Sequence, residues 1–168
     1  MSARSLVFEP ERHRLSGREH IGDTSAVEQE YITRRMAGLG YFRYFEFFAP
    51  QQPYIELMLN ETQRAAAGTR LPIVCRQLIS RGVSLVDSIA AFLIGMGNYS
   101  YYSASTGWFD KDWSWHDEYN PAYGTPLGPA SVDAGGAVYT RRFSGCDVVV
   151  NCTAAVRGNC KGAIAMKG

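Results

Sequence analysis

The sequence has almost no net charge to offer a partner: 17 Lys plus Arg stand against 16 Asp plus Glu in 168 residues, a formal +1, and the basic residues are scattered. A nucleic acid or an anionic membrane surface finds no electrostatic footprint here. Long apolar runs are missing as well. The longest, residues 89–96, is far short of the roughly 20 residues that a spanning helix needs, and residues 1–10 carry no signal-peptide hydrophobic region. Neither a membrane span nor a nucleic acid is therefore expected.

Histidine is scarce, three in all, and the four Cys at 75, 146, 152 and 160 form no Cys-x-x-Cys and have no His nearby. That spacing fits neither a structural zinc site nor a thioredoxin-like motif, so no metal is expected. No Gly-x-Ser-x-Gly elbow anchors a hydrolase triad. Gly95-x-Gly97 closes a helix ahead of a strand, the wrong order for a dinucleotide-binding turn, and no cofactor is expected. His13 and His20 read as surface residues, and His116 has no second His at metal-ligand spacing.

What remains is ordinary globular composition, 46% hydrophobic and 20% charged, long enough for one domain with a core. The aromatics are uneven. Tyr41, Phe42, Tyr44, Phe45, Phe47 and Phe48 form one cluster, and Trp108, Trp113 and Trp115 lie in another. Cys146, Cys152 and Cys160 crowd one end; an oxidising compartment would allow a disulfide there, and buried or free thiols are the plainer reading. Three of the five Asn head glycosylation sequons, at Asn60, Asn98 and Asn151. The surplus leans toward a secreted chain, although Asn60 falls in an expected helix and Asn98 at the start of an expected buried strand. Localisation stays open.

Along the chain, residues 1–22 read as an irregular N-terminal segment. Ser25-x-x-Glu28 is a capping box, followed at helical spacing by Val27, Tyr31, Ile32, Met36 and Leu39. Residues 41–48, closed by Pro50, read as a buried strand with Glu46 near its end. Pro53 then opens a helix through Ile55, Met58, Leu59, Thr62 and Ala66, with Gly68 just past its end. A strand over 71–76, a helix over 84–95 and a strand over 98–105 complete the alternation. Such an order argues for parallel strands joined by right-handed helical crossovers. A long aromatic, Asp-rich loop over 105–130 follows, then short strands over 137–143, 146–151 and 163–167, with Ser144-Gly145 as a hairpin turn.

Several of these pieces recur in a familiar order. They are Phe45-Glu46-Phe47-Phe48 before Pro50, the run from Ala90 to Tyr102, Trp113-x-Trp115-His116-x-Glu118-Tyr119, Pro126-Leu127-Gly128-Pro129, and Tyr139-Thr140-Arg141-x-Phe143 with Val148-x-Val150-Asn151. Over roughly residues 41–151 the chain resembles the C-terminal part of glycoside hydrolases with a TIM-barrel domain, in which the last barrel strands lead into a small β appendage. The resemblance implies an α/β fold: a partial (β/α) barrel, its last strand–helix units over 23–131, followed by a small antiparallel β appendage over 132–168. A complete barrel takes about 250 residues. Three barrel-like strands therefore read as its last third, a piece whose open edge predicts self-association or a missing N-terminal barrel half.

Glycoside hydrolysis usually uses two carboxyl groups, about 5 to 5.5 Å apart for retention and about 6.5 to 9.5 Å for inversion. Glu46, near a strand's C-terminal end and among aromatics, is the first catalytic candidate. The alternative is a buried Glu paired with Arg43 or Arg76. The second carboxylate would come from Asp110 or Asp117 in the long loop. Around them Trp108, Trp113, Trp115, His116 and Glu118, with Tyr102 on the preceding strand, match the mixture of flat rings and polar groups that suits a sugar. Against this, Trp113 and Trp115 could pin the loop to the barrel rim while the Asp residues form solvated turns. Arg141 and Arg142 could clamp a carboxylate, or could simply be exposed strand charges. The expected function is carbohydrate hydrolysis or binding through a strand-end Glu and an aromatic, acidic loop. The alternatives are a non-catalytic carbohydrate-binding or interaction module, or an inactive barrel fragment.

Overall fold

A computed structural model describes residues 43–45, 48–66, 72–79, 83–106 and 114–168. The capping-box helix and the N-terminal segment lie outside these residues, as do Glu46, Trp108, Asp110 and Trp113. The described chain runs β1 (Arg43–Phe45), α1 (Gln52–Ala66), β2 (Ile73–Leu78), α2 (Leu85–Gly95) and β3 (Ser100–Ser105). A single 3-10 turn (Asp117–Tyr119) follows, then β4 (Ser131–Val132), β5 (Val138–Arg142), β6 (Cys146–Val156) and β7 (Asn159–Met166).

Two sheets result. One holds β1, β2 and β3 in that order, all parallel, with Phe45 opposite Cys75 and Cys75 opposite Tyr102. The other holds β4, β5, β6 and β7 in sequence order, all antiparallel, with an irregular register between Asn151 and Val156. Among the described residues no helix is long and apolar enough to cross a membrane.

The first helix begins where the chain loses its donors. Pro53 sits in its first turn, where its missing N–H costs nothing, and the Gln51 carbonyl accepts the Tyr54 and Ile55 N–H groups at 3.0 and 3.1 Å. Ile55 and Met58, three apart, are fully buried, so the helix turns one stripe to the core. Across that stripe Cys75 Sγ lies 3.6 Å from Met58 Sδ. Burial pushes the Cys75 thiol well above its ordinary range, so it behaves as a small apolar side chain.

The second helix is built differently. Ser84 adopts extended backbone ahead of it, and its Oγ accepts the Asp87 N–H at 3.3 Å. Every residue from Asp87 to Gly95 is buried. A helix apolar on all sides must be covered on all sides, and this one packs against α1 and β3 on one flank and β5, β6 and β7 on the other. Two glycines permit the approach. A Cβ on Gly95 would lie 2.6 Å from Met58 Cβ, and one on Gly162 would lie 2.5 Å from Ala90 Cβ. Asp87 adds polar ties, accepting the Gly162 N–H at 2.9 Å and Lys161 Nζ at 3.2 Å.

Arg141 closes the other end of α2. Its Nη1 donates to the carbonyls of Leu93, Ile94 and Met96 at 3.0, 3.0 and 2.6 Å, and its Nε donates to Gly128 O at 3.2 Å. A cation thus satisfies the carbonyls that a helix leaves unpaired at its C-terminus. Of the two sequence readings of Arg141, neither holds, because its guanidinium is occupied by backbone. Arg142 is exposed, 3.7 Å from Asp147.

One cysteine pair is oxidised. Cys152 and Cys160 form a disulfide, with Cα atoms 4.3 Å apart, while Cys75 and Cys146 are free and buried. The plainer reading of free thiols thus fails for Cys152 and Cys160 and holds for Cys146. The cause is register: the pair sits one position beyond Asn151 opposite Lys161, where antiparallel strands bring side chains close enough to join.

Candidate functional site

The C-terminal ends of the three parallel strands, with the loops that leave them, hold the chemistry. In β2 the odd positions Ile73, Cys75 and Gln77 are fully buried, while Val74 and Arg76 take the opposite face, as strand alternation requires. Arg76, at the C-terminal half of β2, donates from Nη2 to Ser105 Oγ at 2.8 Å, and its carbonyl accepts the Phe48 N–H at 2.8 Å. These bonds draw the exits of β1, β2 and β3 together.

Tyr102 lies half-buried at the junction of strand, helix and loop. Its ring centroid is 6.3 Å from Phe48, 5.3 Å from Phe92 and 6.1 Å from Tyr119, and its hydroxyl donates to Gln77 Oε1. Gln77 in turn donates from Nε2 to Val83 O at 3.1 Å. Burial, with neighbouring Tyr119 as a second cause, raises the Tyr102 phenol far above its ordinary value. It remains a neutral donor throughout the accessible pH range.

Tyr119 carries this packing out to the loop. Trp115 and His116 meet its ring edge-on, at 5.4 and 5.5 Å between centroids. The Trp115 indole is 61% exposed, and its Nε1 donates to Asn120 Oδ1 at 2.9 Å. The ring is therefore anchored at its edge and polar atom while much of its surface stays in water. The Asp117 carboxylate is exposed and accepts from Asn120 Nδ2 at 3.4 Å. His116 Nε2 lies 3.2 Å from Ser114 Oγ. Glu118 is half-buried, and its carbonyl accepts from the Tyr123 hydroxyl.

Of the nine residues singled out from sequence, five are thus described: Tyr102, Trp115, His116, Asp117 and Glu118. Trp115, His116 and Asp117 come together around Tyr119 and Asn120, two residues that sequence reasoning did not place in the site. The signal for Tyr119 was its place at the end of the Trp113-to-Tyr119 motif. Glu46, Asp110, Trp108 and Trp113 fall outside the described residues. Among the described residues no group of three His, Cys, Asp or Glu side chains is placed to hold a metal ion.

A second feature at the strand exits was not foreseen. Phe48 and Gln51 from the β1–α1 connection, Tyr54 from the first turn of α1, Leu78 from β2 and Arg157 and Asn159 from the β6–β7 hairpin line a cleft of about 370 Å³. Phe48 and Tyr54 pack edge-on with centroids 6.0 Å apart.

No curated protein matches the chain. Residues 50–146 match the family described as hypothetical glycosyl hydrolase family 15, a span that takes in α1 through the start of β6 and the whole Trp115–Tyr119 platform. The chain belongs to that glycoside-hydrolase-like family.

Proposed function

We propose that the protein binds carbohydrate at the C-terminal ends of its parallel strands and acts there as part of a glycoside hydrolase of (β/α)-barrel type. The observation that carries this reading is the Trp115 platform: an exposed indole held by Tyr119 and Asn120, with His116 and the exposed Asp117 beside it. Flat rings fit the apolar faces of sugars, and carboxylates and imidazoles fit their hydroxyls. Membership in a glycoside-hydrolase-like family supports the same substrate class. Two edges of the parallel sheet, β1 and β3, pair with no further strand among the described residues; these are the edges that the rest of a barrel would extend.

In this reading Tyr102 and Tyr119 position the loop, Trp115 and His116 contact the sugar, and Asp117 is one carboxylate of the pair. Glu46 follows β1 directly in sequence and is the other, with Asp110 as the remaining acidic candidate. Trp108, Trp113 and Glu118 complete the sugar-contacting set. The catalytic test is an oligosaccharide turnover screen on the purified chain with Glu46→Gln beside the wild type. Turnover lost in Glu46→Gln is the expected result, and turnover undiminished by it overturns the role of Glu46.

Non-catalytic carbohydrate binding is the second reading, favoured by the open, solvent-facing setting of Asp117. Turnover separates the two, since both predict binding measurable by calorimetry. Trp115→Ala abolishes saccharide binding in either reading, because it removes the exposed ring face offered to the sugar; a Trp115→Ala protein that binds as well as the wild type sinks both.

A further inference from the structure

The turn between β6 and β7 consists of Arg157 and Gly158, with φ of 54° and 80°. Two residues with positive φ make the hairpin turn that Asn-Gly suits best, and an arginine gains nothing from that backbone conformation. Among the described residues no carboxylate pairs with Arg157.

The tip is held firmly over the strand exits. The Cys160 N–H donates to Pro50 O at 2.6 Å, and Gln51 Nε2 donates to Asn159 Oδ1 at 3.2 Å. Just behind the tip the Cys152–Cys160 disulfide ties the two strands. The hairpin thereby lines the cleft of about 370 Å³ together with Phe48, Tyr54 and Leu78. Its volume falls in the range of small-molecule sites.

Beside the apolar side chains of Phe48, Ala49, Leu78 and Val83, the lining has three kinds of group that could recognise a sugar. Tyr54 offers an aromatic wall. The Gln51–Asn159 bond occupies one donor and one acceptor, leaving Gln51 Oε1 and Asn159 Nδ2 to meet hydroxyls. Arg157 supplies a cation whose planar fork matches a carboxylate with two parallel bonds. A neutral sugar would use the first two and leave the third idle.

We infer that this cleft is a binding subsite for a uronic acid residue of an acidic saccharide, with Arg157 holding the sugar's carboxylate. The inference deepens the carbohydrate reading and rests on it. It also makes the antiparallel hairpin a contributor to the site at the parallel strands' ends.

The test is calorimetric titration of the full 168-residue chain with three oligosaccharides of the same length, one of uronic acid, one neutral and one sulfated. Arg157→Asn is the variant, because Asn suits the turn and the melting temperature should hold or rise. The wild type should prefer the uronic saccharide, and Arg157→Asn should weaken that binding by about tenfold or more while leaving the neutral saccharide unaffected. Arg157→Lys should retain part of the preference, as a point charge without the fork. Equal affinity for the uronic and neutral saccharides, or uronic binding untouched by Arg157→Asn, overturns this inference and leaves the proposed function standing. A sulfated oligosaccharide bound more tightly than the uronic one overturns the carboxylate assignment. Binding of none of the three overturns both readings together.

Discussion

The two sheets are stabilised by different means. The parallel strands β1, β2 and β3 are joined through helices, and they share one core with Ile55, Met58, Phe92 and Ile94, which those connecting helices supply. The antiparallel strands β5, β6 and β7 are joined by tight turns and tied locally: a disulfide across β6 and β7, and Asp133 at the turn into β5. Parallel pairing requires long connections, whereas antiparallel neighbours close through a few residues. The connections leaving the parallel strands are accordingly where loops with chemical groups accumulate, and the antiparallel sheet serves as a brace that reaches back with one hairpin tip. The helix α2 belongs to both.

That division can be broken most severely at α2. Ile94→Ala removes a fully buried side chain and should cost about 2–5 kcal/mol. Chemical denaturation followed by both Trp fluorescence and far-UV circular dichroism should show both sheets failing in one transition; two separate transitions would mean that the sheets are independent. Replacing both Cys152 and Cys160 by Ser should cost about 2.5 kcal/mol by the loop-entropy argument. Hydrogen exchange should then rise in β6 and β7 and stay unchanged in β2. Arg141→Met strips the carbonyls of Leu93, Ile94 and Met96 of their shared donor and should cost about 2 kcal/mol, read as a lowered melting temperature.

The smallest effect is local to the antiparallel sheet and depends on pH. The N–H groups of Val138 and Ala137 donate to Asp133 Oδ1 at 2.8 and 2.9 Å and hold its carboxyl below the ordinary aspartate range. A depressed folded-state value means the contribution is full above the unfolded aspartate value, about 3.9, and is lost as pH falls through the lower folded one. Amide exchange at Ala137 and Val138, corrected for the intrinsic acid rate, should therefore accelerate on acidification below that range. The Asp133→Asn protein should lack this pH dependence.

Local punctuation made much of the parallel half legible in sequence. Pro53 and the Ile55–Met58–Leu59 spacing place α1 at 52–66, and Ser84 with Asp87 places the start of α2 within one residue. Strand ends are less legible. The expected strand over 71–76 is observed at Ile73–Leu78, and that over 98–105 at Ser100–Ser105, because Asn98 and Tyr99 form a turn. Asn98 is consequently exposed, as are Asn60 and Asn151.

In the antiparallel half the signals hold for β5, expected over 137–143 and observed at Val138–Arg142, and for the Ser144-Gly145 turn into Cys146, but mislead at the second hairpin. β6 continues to Val156 and β7 begins at Asn159, well beyond the expected 146–151 and ahead of 163–167. Arg157-Gly158 carries no ordinary turn signature, since Arg is not a residue of positive φ. Separation in sequence hides the cleft: Gln51 and Asn159 are 108 positions apart, and no local pattern announces their meeting. The Trp115–Asp117 group was legible because its members are neighbours in sequence, whereas its support by Tyr102 depends on tertiary packing.

The double covering of α2 has an evolutionary consequence. A module can be gained or lost by recombination when the surface it leaves behind tolerates water. Detaching β5, β6 and β7 would bare one flank of a helix that is uncharged from Ser88 through Gly95, together with the carbonyls that Arg141 now serves. Lineages that discard the hairpin sheet must therefore resurface that helix in the same period, so inheritance of the two sheets should be linked.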